Sequence, residues 1–353
     1  MFSKKFVSVA LLAAVVALLA GNAARAQAQK EVVRIGYVPV LIYAPLYVAQ
    51  ERGYFAQENL DVQLTPVQGG SEPVVQLAAG NFDAAVGGVG AGLLNVANKG
   101  LEFRIVAPMH SERAPLSTSL VISAKRADIK TVADLKGKKV SINATGAATE
   151  YWLSEALRKA GLTFADIQLQ TVGFANVPGA LDNGSLDAAM LGEPLTTQQV
   201  GNGVLKILVD DFIDGFYATY LYMGMPLLRD RSAVADGFMR AYLKACRDLS
   251  APDAYQKGDI TAIIEKYTKV PAAIIAKASR PYYEPNGVIP VKDIETLQAY
   301  FLTRGSLEYK QPLDISKFID TSLVQRAVQA IGPYAVATTS ATTSATMAAT
   351  ITR

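Results

Sequence analysis

Apolar and polar positions follow two rhythms along the first part of this chain. Val32-Val33-Arg34-Ile35-Gly36-Tyr37 is a short, nearly unbroken apolar run, the pattern of a buried strand, and Leu60-Asp61-Val62-Gln63-Leu64 alternates with period two. Between them, Pro39 and Pro45 bracket a loop. A helix is expected from about Pro45 to Phe55, its apolar positions Leu46, Tyr47, Ala49, Tyr54 and Phe55 facing inward and Gly53 weakening its end. Gly69-Gly70-Ser71-Glu72-Pro73 opens a second helix, in which Ser71 suits the cap, Pro73 the first turn, and Val74, Leu77 and Ala78 the buried stripe. Strand, helix, strand, helix with short connections predicts right-handed crossovers on a mainly parallel sheet.

The most informative feature is an internal echo. Leu77-Ala78-Ala79-Gly80-Asn81-Phe82-Asp83-Ala84-Ala85 is matched by Leu181-Asp182-Asn183-Gly184-Ser185-Leu186-Asp187-Ala188-Ala189. In each copy the glycine ends a helix, the aspartate sits in the turn and the Ala-Ala pair starts a strand. Each copy also leads into a glycine-containing loop, so two lobes of similar construction are expected.

The second lobe begins around Thr118-Ser119-Leu120-Val121-Ile122-Ser123, read as a strand crossing between lobes. Lys139-Val140-Ser141-Ile142 reads as a strand, and the loop from Asn143 to Thr149 leads into a helix through Tyr151, Leu153, Ala156, Leu157 and Ala160. Tyr217 to Met223 reads as a strand crossing back. Helical patterns follow around Phe238, Tyr242 and Leu249, then Ile263, Ile264 and Tyr267, then Ile294, Leu297 and Phe301. The expected layout is an α/β protein with residues 30–120 and 224–334 in lobe 1 and 121–223 in lobe 2. Two mainly parallel sheets flanked by helices are joined by the crossing strands. Lobes joined by a pair of strands rotate about them and close on a ligand. The Thr/Ala/Ser tract at 335–353 lacks apolar periodicity and is expected to be a disordered tail.

The chain's ends and charge narrow the picture. Residues 1–26 combine a basic start at Lys4-Lys5, an apolar run from Phe6 to Ala20 and the small-x-small sequence Ala24-Arg25-Ala26, the pattern of a cleavable export leader. The mature protein is expected in the periplasm, with no stable membrane insertion after cleavage. The formal charge of +3 resides in that leader, whose Lys4, Lys5 and Arg25 face no acidic residue there. The remainder is balanced, and nucleic acid is not expected as a partner. About 327 residues after the leader exceed one ordinary core, consistent with two lobes.

Cys246 is the only cysteine and His110 the only histidine. There is accordingly no internal disulfide, no cysteine metal cluster, and poor material for a histidine-rich metal centre or a Ser-His-Asp site. Cys246 falls in a helical pattern and reads as a small buried hydrophobe. Neither a catalytic residue, a bound metal nor a cofactor is expected.

Ile35-Gly36-Tyr37, Ala44-Pro45-Leu46-Tyr47-Val48-Ala49-Gln50-Glu51-Arg52-Gly53-Tyr54-Phe55 and Gln57-Glu58-Asn59-Leu60-Asp61-Val62, with both echoed segments, resemble one known family. Asp134-Leu135-Lys136-Gly137-Lys138-Lys139-Val140, Leu157-Arg158-Lys159-Ala160-Gly161-Leu162 and Gly192-Glu193-Pro194 extend the match. The family is the nitrate, sulfonate and taurine binding proteins of ABC importers, a group that includes binders of thiamine-pyrimidine precursors. The resemblance implies a type II periplasmic-binding-protein fold, a monomer that clamps a small molecule between its lobes, and permease and ATPase subunits as partners. It also implies a rival, because a desulfinase of similar architecture uses a cleft cysteine; the matched cleft loops here contain none.

Open α/β sheets bind ligands at the carboxyl ends of their strands, where helix N-termini point. That rule selects Tyr37, Tyr43, Gly70, Ser71, Gly87 and Gly88 in the first lobe, and Thr145, Gly146, Ala147 and Glu193 in the second. The helix starts at Gly70-Ser71 and Thr145-Gly146-Ala147 favour an oxyanion, while Glu193 favours an amine or ring N–H. Of the adjacent Tyr151 and Trp152, at most one faces the cleft, and Arg113 is a cation within possible reach. An organosulfonate or other small organic acid is the first expectation for the ligand, and a nitrogen heterocycle such as a thiamine-pyrimidine precursor or a flavin the second.

Overall fold

A computed structural model describes residues 30–335 except Gly70, Ser71, Leu101 and Lys257. The expected leader, the expected tail apart from Ala335, and the candidate residues Gly70 and Ser71 lie outside the described residues. Ten strands are described: β1 (Glu31–Tyr37), β2 (Leu60–Pro66), β3 (Ala84–Gly88), β4 (Phe103–Glu112), β5 (Thr118–Ser123), β6 (Lys139–Ile142), β7 (Gln168–Thr171), β8 (Ala188–Gly192), β9 (Leu205–Val209) and β10 (Phe216–Gly224). They form two five-stranded sheets of identical design, β2-β1-β3-β10-β4 and β7-β6-β8-β5-β9. In each sheet one strand runs against the other four, and it is the strand that has arrived from the other lobe: β10 in the first, β5 in the second.

The chain therefore crosses between lobes in residues 113–117 and 210–215. Thr118–Ser123 and Phe216–Gly224, read from sequence as crossing strands, each pair within a single sheet along their length. A strand shared between two lobes leaves ladder groups unpaired in the gap, which explains why the crossings fall in the short links instead. Strands β4, β7 and β9 lacked a clear sequence pattern, and all three lie at sheet edges. Pro108 within β4 is tolerated there, and register shifts interrupt its pairing with β10.

Helices cover the sheets: α1 (Ala44–Glu51), α2 (Glu72–Ala78), α3 (Ala91–Asn98), α4 (Ala148–Lys159), α5 (Val177–Asp182), α6 (Leu195–Gly201), α7 (Ser232–Ser250), α8 (Gly258–Thr268), α9 (Val291–Thr303) and α10 (Ser322–Ile331). One core buries Val33, Ile35 and Val86 of the first sheet against Leu46 of α1 and Phe238 and Tyr242 of α7. Cys246 belongs to this core, and burial pushes its thiol pKa well up. A second core is continuous through both lobes, joining Val89, Leu93 and Tyr222 to Leu120, Ile122 and Leu153. None of the helices among the described residues is long and apolar enough to cross a membrane.

The echoed motif has one physical role in both lobes. Gly80 (φ 72°) and Gly184 (φ 78°) take the left-handed conformation that ends α2 and α5. Asp83 then brackets Arg34, the residue of β1 just before its pairing with β3 begins: its N–H donates to Arg34 O (2.9 Å), and its carboxylate accepts the Arg34 N–H (2.8 Å). Asp187 does the same to Lys139 of β6, at 2.9 Å and 2.8 Å. Each carboxylate also carries an arginine, Arg34 on Asp83 and Arg126 on Asp187. Burial pulls both carboxyl pKa values up, yet the hydrogen bonds and charge of these partners outweigh it and leave them below the usual range.

Asp83→Ala and Asp187→Ala should each cost about 1–3 kcal/mol at pH 7 by stranding a backbone N–H. Because the native carboxyls are depressed, this contribution is complete above the unfolded-state value near 3.9 and disappears as pH falls below it. Urea unfolding at pH 7 and pH 3 tests this: the gap between wild type and variant should narrow at the lower pH.

Candidate functional site

The carboxyl ends of the parallel strands of both sheets face one another across a cavity of about 40 Å³. From the first lobe it is lined by Val38, Val40, Ile42 and Tyr43 after β1, Gly69, Gly87 and Gly88 at the end of β3, and His110 and Thr219 on β4 and β10. From the second lobe come Thr118, Asn143, Ala147, Ala148, Thr149, Trp152, Phe174, Gly192 and Glu193.

Five of the ten residues selected from sequence line this space: Tyr43, Gly87, Gly88, Ala147 and Glu193. Three others lie elsewhere. Tyr37 packs edge-on against Tyr47 and Tyr267, with ring centroids 5.3 Å and 6.1 Å away, so its ring belongs to the first core. Thr145 is exposed, and Gly146 is buried in the seam between lobes. Trp152 faces the cavity, whereas Tyr151 packs on Phe216 and Tyr300. Arg113 is exposed, its guanidinium 3.6 Å over the Tyr282 ring, outside the cavity.

The seam depends on glycine. A methyl group on Gly88 would lie 3.0 Å from Ala148 N, and one on Gly90 would collide with the carbonyl oxygen of Gly146. Two hydrogen bonds stitch the same edges: Leu41 N–H to Glu193 O (2.8 Å) and Asn143 Nδ2 to Gln68 O (3.2 Å).

Glu193 is 2 % exposed, and its carboxylate accepts from Thr197 N–H (3.0 Å) and Thr197 Oγ1 (2.8 Å). Burial raises its pKa, opposed by those hydrogen bonds and assisted by the nearby Glu112. Glu112 is itself fully buried and accepts from Ser117 N–H (2.7 Å) and Ser117 Oγ (2.8 Å). His110 bridges from this pair into the cavity: Nδ1 is hydrogen-bonded to the Thr219 hydroxyl, and Nε2 lies 3.5 Å from Glu112 Oε1. No lysine or arginine lines the cavity among the described residues. Its polar surface is acidic and hydroxylic, with flat walls from Trp152, Phe174 and Tyr43.

The start of α4 also borders the cavity, through Ala147, Ala148 and Thr149. Its positive end is already answered by Glu150, a buried carboxylate that accepts the Gly146 N–H at 2.9 Å. Among the described residues there is no cluster of side chains fit to hold a metal ion.

Sequence reasoning missed His110, Thr118, Asn143, Trp152, Phe174 and Thr219 as a group. Asn143 was findable, since it is the first residue after the β6 pattern and its Oδ1 accepts the Thr149 hydroxyl at 2.6 Å. His110 and Thr219 sit inside strands, where no loop signal marks them, and Phe174 follows the weakly patterned β7.

Two mixed sheets with helices on their faces, two short crossings and a cavity at facing strand ends define a two-lobed periplasmic-binding-protein fold. Within it, the chain belongs to the family described as NMT1/THI5 like, whose model matches residues 42–254. Among curated relatives, the riboflavin-binding protein RibY of Chloroflexus aurantiacus is 26 % identical over 64 % of this chain and 64 % of its own length. The chain spans 48 % of another curated relative, from Escherichia coli (strain K12), at 29 % identity over 44 % of this chain. Among solved structures, the nitrate-binding protein NrtA of Synechocystis PCC 6803 superposes with a TM-score of 0.73 at 16 % identity, covering 86 % of this chain and 90 % of that one.

Gly90→Ala is expected to prop the seam open, giving a larger radius of gyration in small-angle X-ray scattering than wild type. Gly179→Ala, at a helical position where a methyl group meets nothing within 4 Å, should scatter like wild type.

Proposed function

We propose that this protein is the periplasmic ligand-capturing component of an ABC-type importer, and that its ligand is a small organic molecule presenting an amine or ring N–H to Glu193. Family membership and the two-lobed fold support the first part. The second rests on one observation: a buried carboxylate lines a cavity with no lysine or arginine among its described walls. A plain anion placed there meets repulsion from Glu193 and Glu112 with no cation to offset it. A donor-bearing molecule supplies Glu193 with a charge-assisted hydrogen bond and offers its faces to Trp152, Phe174 and Tyr43. A nitrogen heterocycle is therefore preferred to an organosulfonate. The unpaired N–H groups at the start of α4 favour the sulfonate or organic-acid reading, but Glu150 already lies against that helix end. In this function the ligand leaves unchanged, so mass spectrometry should recover it intact after incubation with the protein.

A thermal-shift panel of aminopyrimidines, flavins, alkyl and aryl sulfonates, taurine and nitrate tests the reading. A compound at a thousand times its Kd stabilises by about 4 kcal/mol. Hits are expected among donor-bearing heterocycles, and Glu193→Gln should weaken them about tenfold to a hundredfold, the worth of a hydrogen bond to a charged group. Hits confined to sulfonates or nitrate, unaffected by Glu193→Gln, would sink the donor reading.

Glu193 also sets a pH dependence without ligand. Its native pKa is raised, so between the unfolded value near 4.3 and the native one the unfolded chain releases the proton first and stability falls. Wild type should lose more stability than Glu193→Gln between pH 4 and pH 8, as read from urea midpoints.

A further inference from the structure

The cavity has a neighbour on the other side of one wall. Val38, Val40 and Phe174 line it and also line an adjacent groove of about 520 Å³. The groove is assembled from both lobes: Pro39, Pro66 and Val67 from the first, Pro178, Pro194, Leu195, Gln198 and Gln199 from the second, with Val270 after α8. Four prolines supply walls without N–H donors, and Leu195, Val67 and Val270 add apolar surface. Lys269 is the one charged side chain among the described lining residues; it is exposed, and its Nζ donates to Lys266 O at 2.8 Å. Gln198 and Gln199 offer neutral amides. The two spaces thus differ in chemistry, an inner chamber lined by the carboxylate residue Glu193 and a mainly apolar outer one whose charged side chain, Lys269, is exposed, with the half-buried Phe174 between them.

Their sizes differ as well. The inner cavity of about 40 Å³ has room for roughly three water-sized groups.

We propose that the ligand site is bipartite: the inner cavity takes the donor-bearing head, and the proline-lined groove takes an uncharged, mainly apolar second portion of the same molecule, passing Phe174. This rests on the donor reading of Glu193 for the head. The adjacency of the two spaces, which share three wall residues, carries the argument, together with a groove wall whose one charged side chain among the described lining residues, Lys269, is exposed to solvent.

The probes are 4-aminopyrimidine and 4-(benzylamino)pyrimidine, which share a head and differ by an uncharged ring, measured by calorimetry on the mature protein. The benzyl compound should bind wild type at least about tenfold more tightly, since it buries an added aromatic ring. Gln198→Trp, which fills the groove from its exposed rim, should remove that advantage and leave 4-aminopyrimidine binding unchanged. Leu195→Ala should reduce the advantage without steric blockage, and Glu193→Gln should weaken both compounds. Equal affinity of the two probes for wild type, with Glu193→Gln still weakening both, would overturn the bipartite site while the head reading stood. Tighter benzyl binding that survived Gln198→Trp would also overturn it, leaving the groove to a protein partner. Binding of neither probe would remove the head assignment, and the groove assignment would fall with it.

Discussion

Two backbones meet where Gly88 and Gly90 face the segment Gly146-Ala147-Ala148, and the rest of the site depends on that approach. Because Gly90 carries no Cβ, the loop after β3 sits directly on the turn before α4. The same approach places Leu41 within hydrogen-bonding distance of Glu193 and Asn143 within reach of Gln68. It also brings Trp152 of one lobe to 6.2 Å, ring to ring, from His110 of the other. A methyl group at this contact works against all of these at once, since they all join the same two facing edges.

The polar chemistry inside is arranged so that burial never leaves a charge bare. Glu112 and Glu193 are both almost wholly buried, and each takes one backbone N–H and one hydroxyl from a neighbour only a few residues along, Ser117 and Thr197. Local sequence thus satisfies the acceptors, as buried carboxylates require. What it does not supply is a lysine or arginine among the described lining residues. The inner cavity is left with acceptor capacity and no matching cation, and complementing it falls to whatever enters. The His110–Thr219 contact ties β4 to β10, the strands on which the first lobe's links begin and end, so the cavity floor and the hinge share side chains.

Much of this was legible in the chain. The Leu-x-x-Gly-x-x-Asp-Ala-Ala echo announced two similar lobes because its residues do the same work in each: a left-handed glycine ends a helix, and an aspartate ties the strand that follows to an earlier strand of the same sheet. The loop positions after β3 and β8 followed from the same logic, which is how Gly87, Gly88 and Glu193 were found. Tyr37 was misassigned because a strand's last residue alternates between faces, and periodicity alone does not say whether the ring turns to the helix layer or to the ligand. His110 and Thr219 were illegible for a related reason: they lie on neighbouring strands 109 residues apart in sequence, and only the crossings bring them together, while Phe174 follows the weakly patterned edge strand β7.

The symmetry of the scaffold makes the asymmetry of the site intelligible. In the echo's register Gly88 corresponds to Gly192, and both line the cavity, one from each lobe. One residue further on the correspondence breaks: Val89 is buried in the core continuous between lobes, whereas its counterpart Glu193 lines the cavity and holds its carboxylate on Thr197. The following pair diverges too, with Gly90 admitting the opposing backbone and Pro194 beginning the wall of the outer groove. A duplicated frame supplies two like edges with glycine where they must approach. Under the proposed function, the next two positions then give one edge a close approach to the opposing backbone and the other the ligand-recognising carboxylate, without altering either sheet.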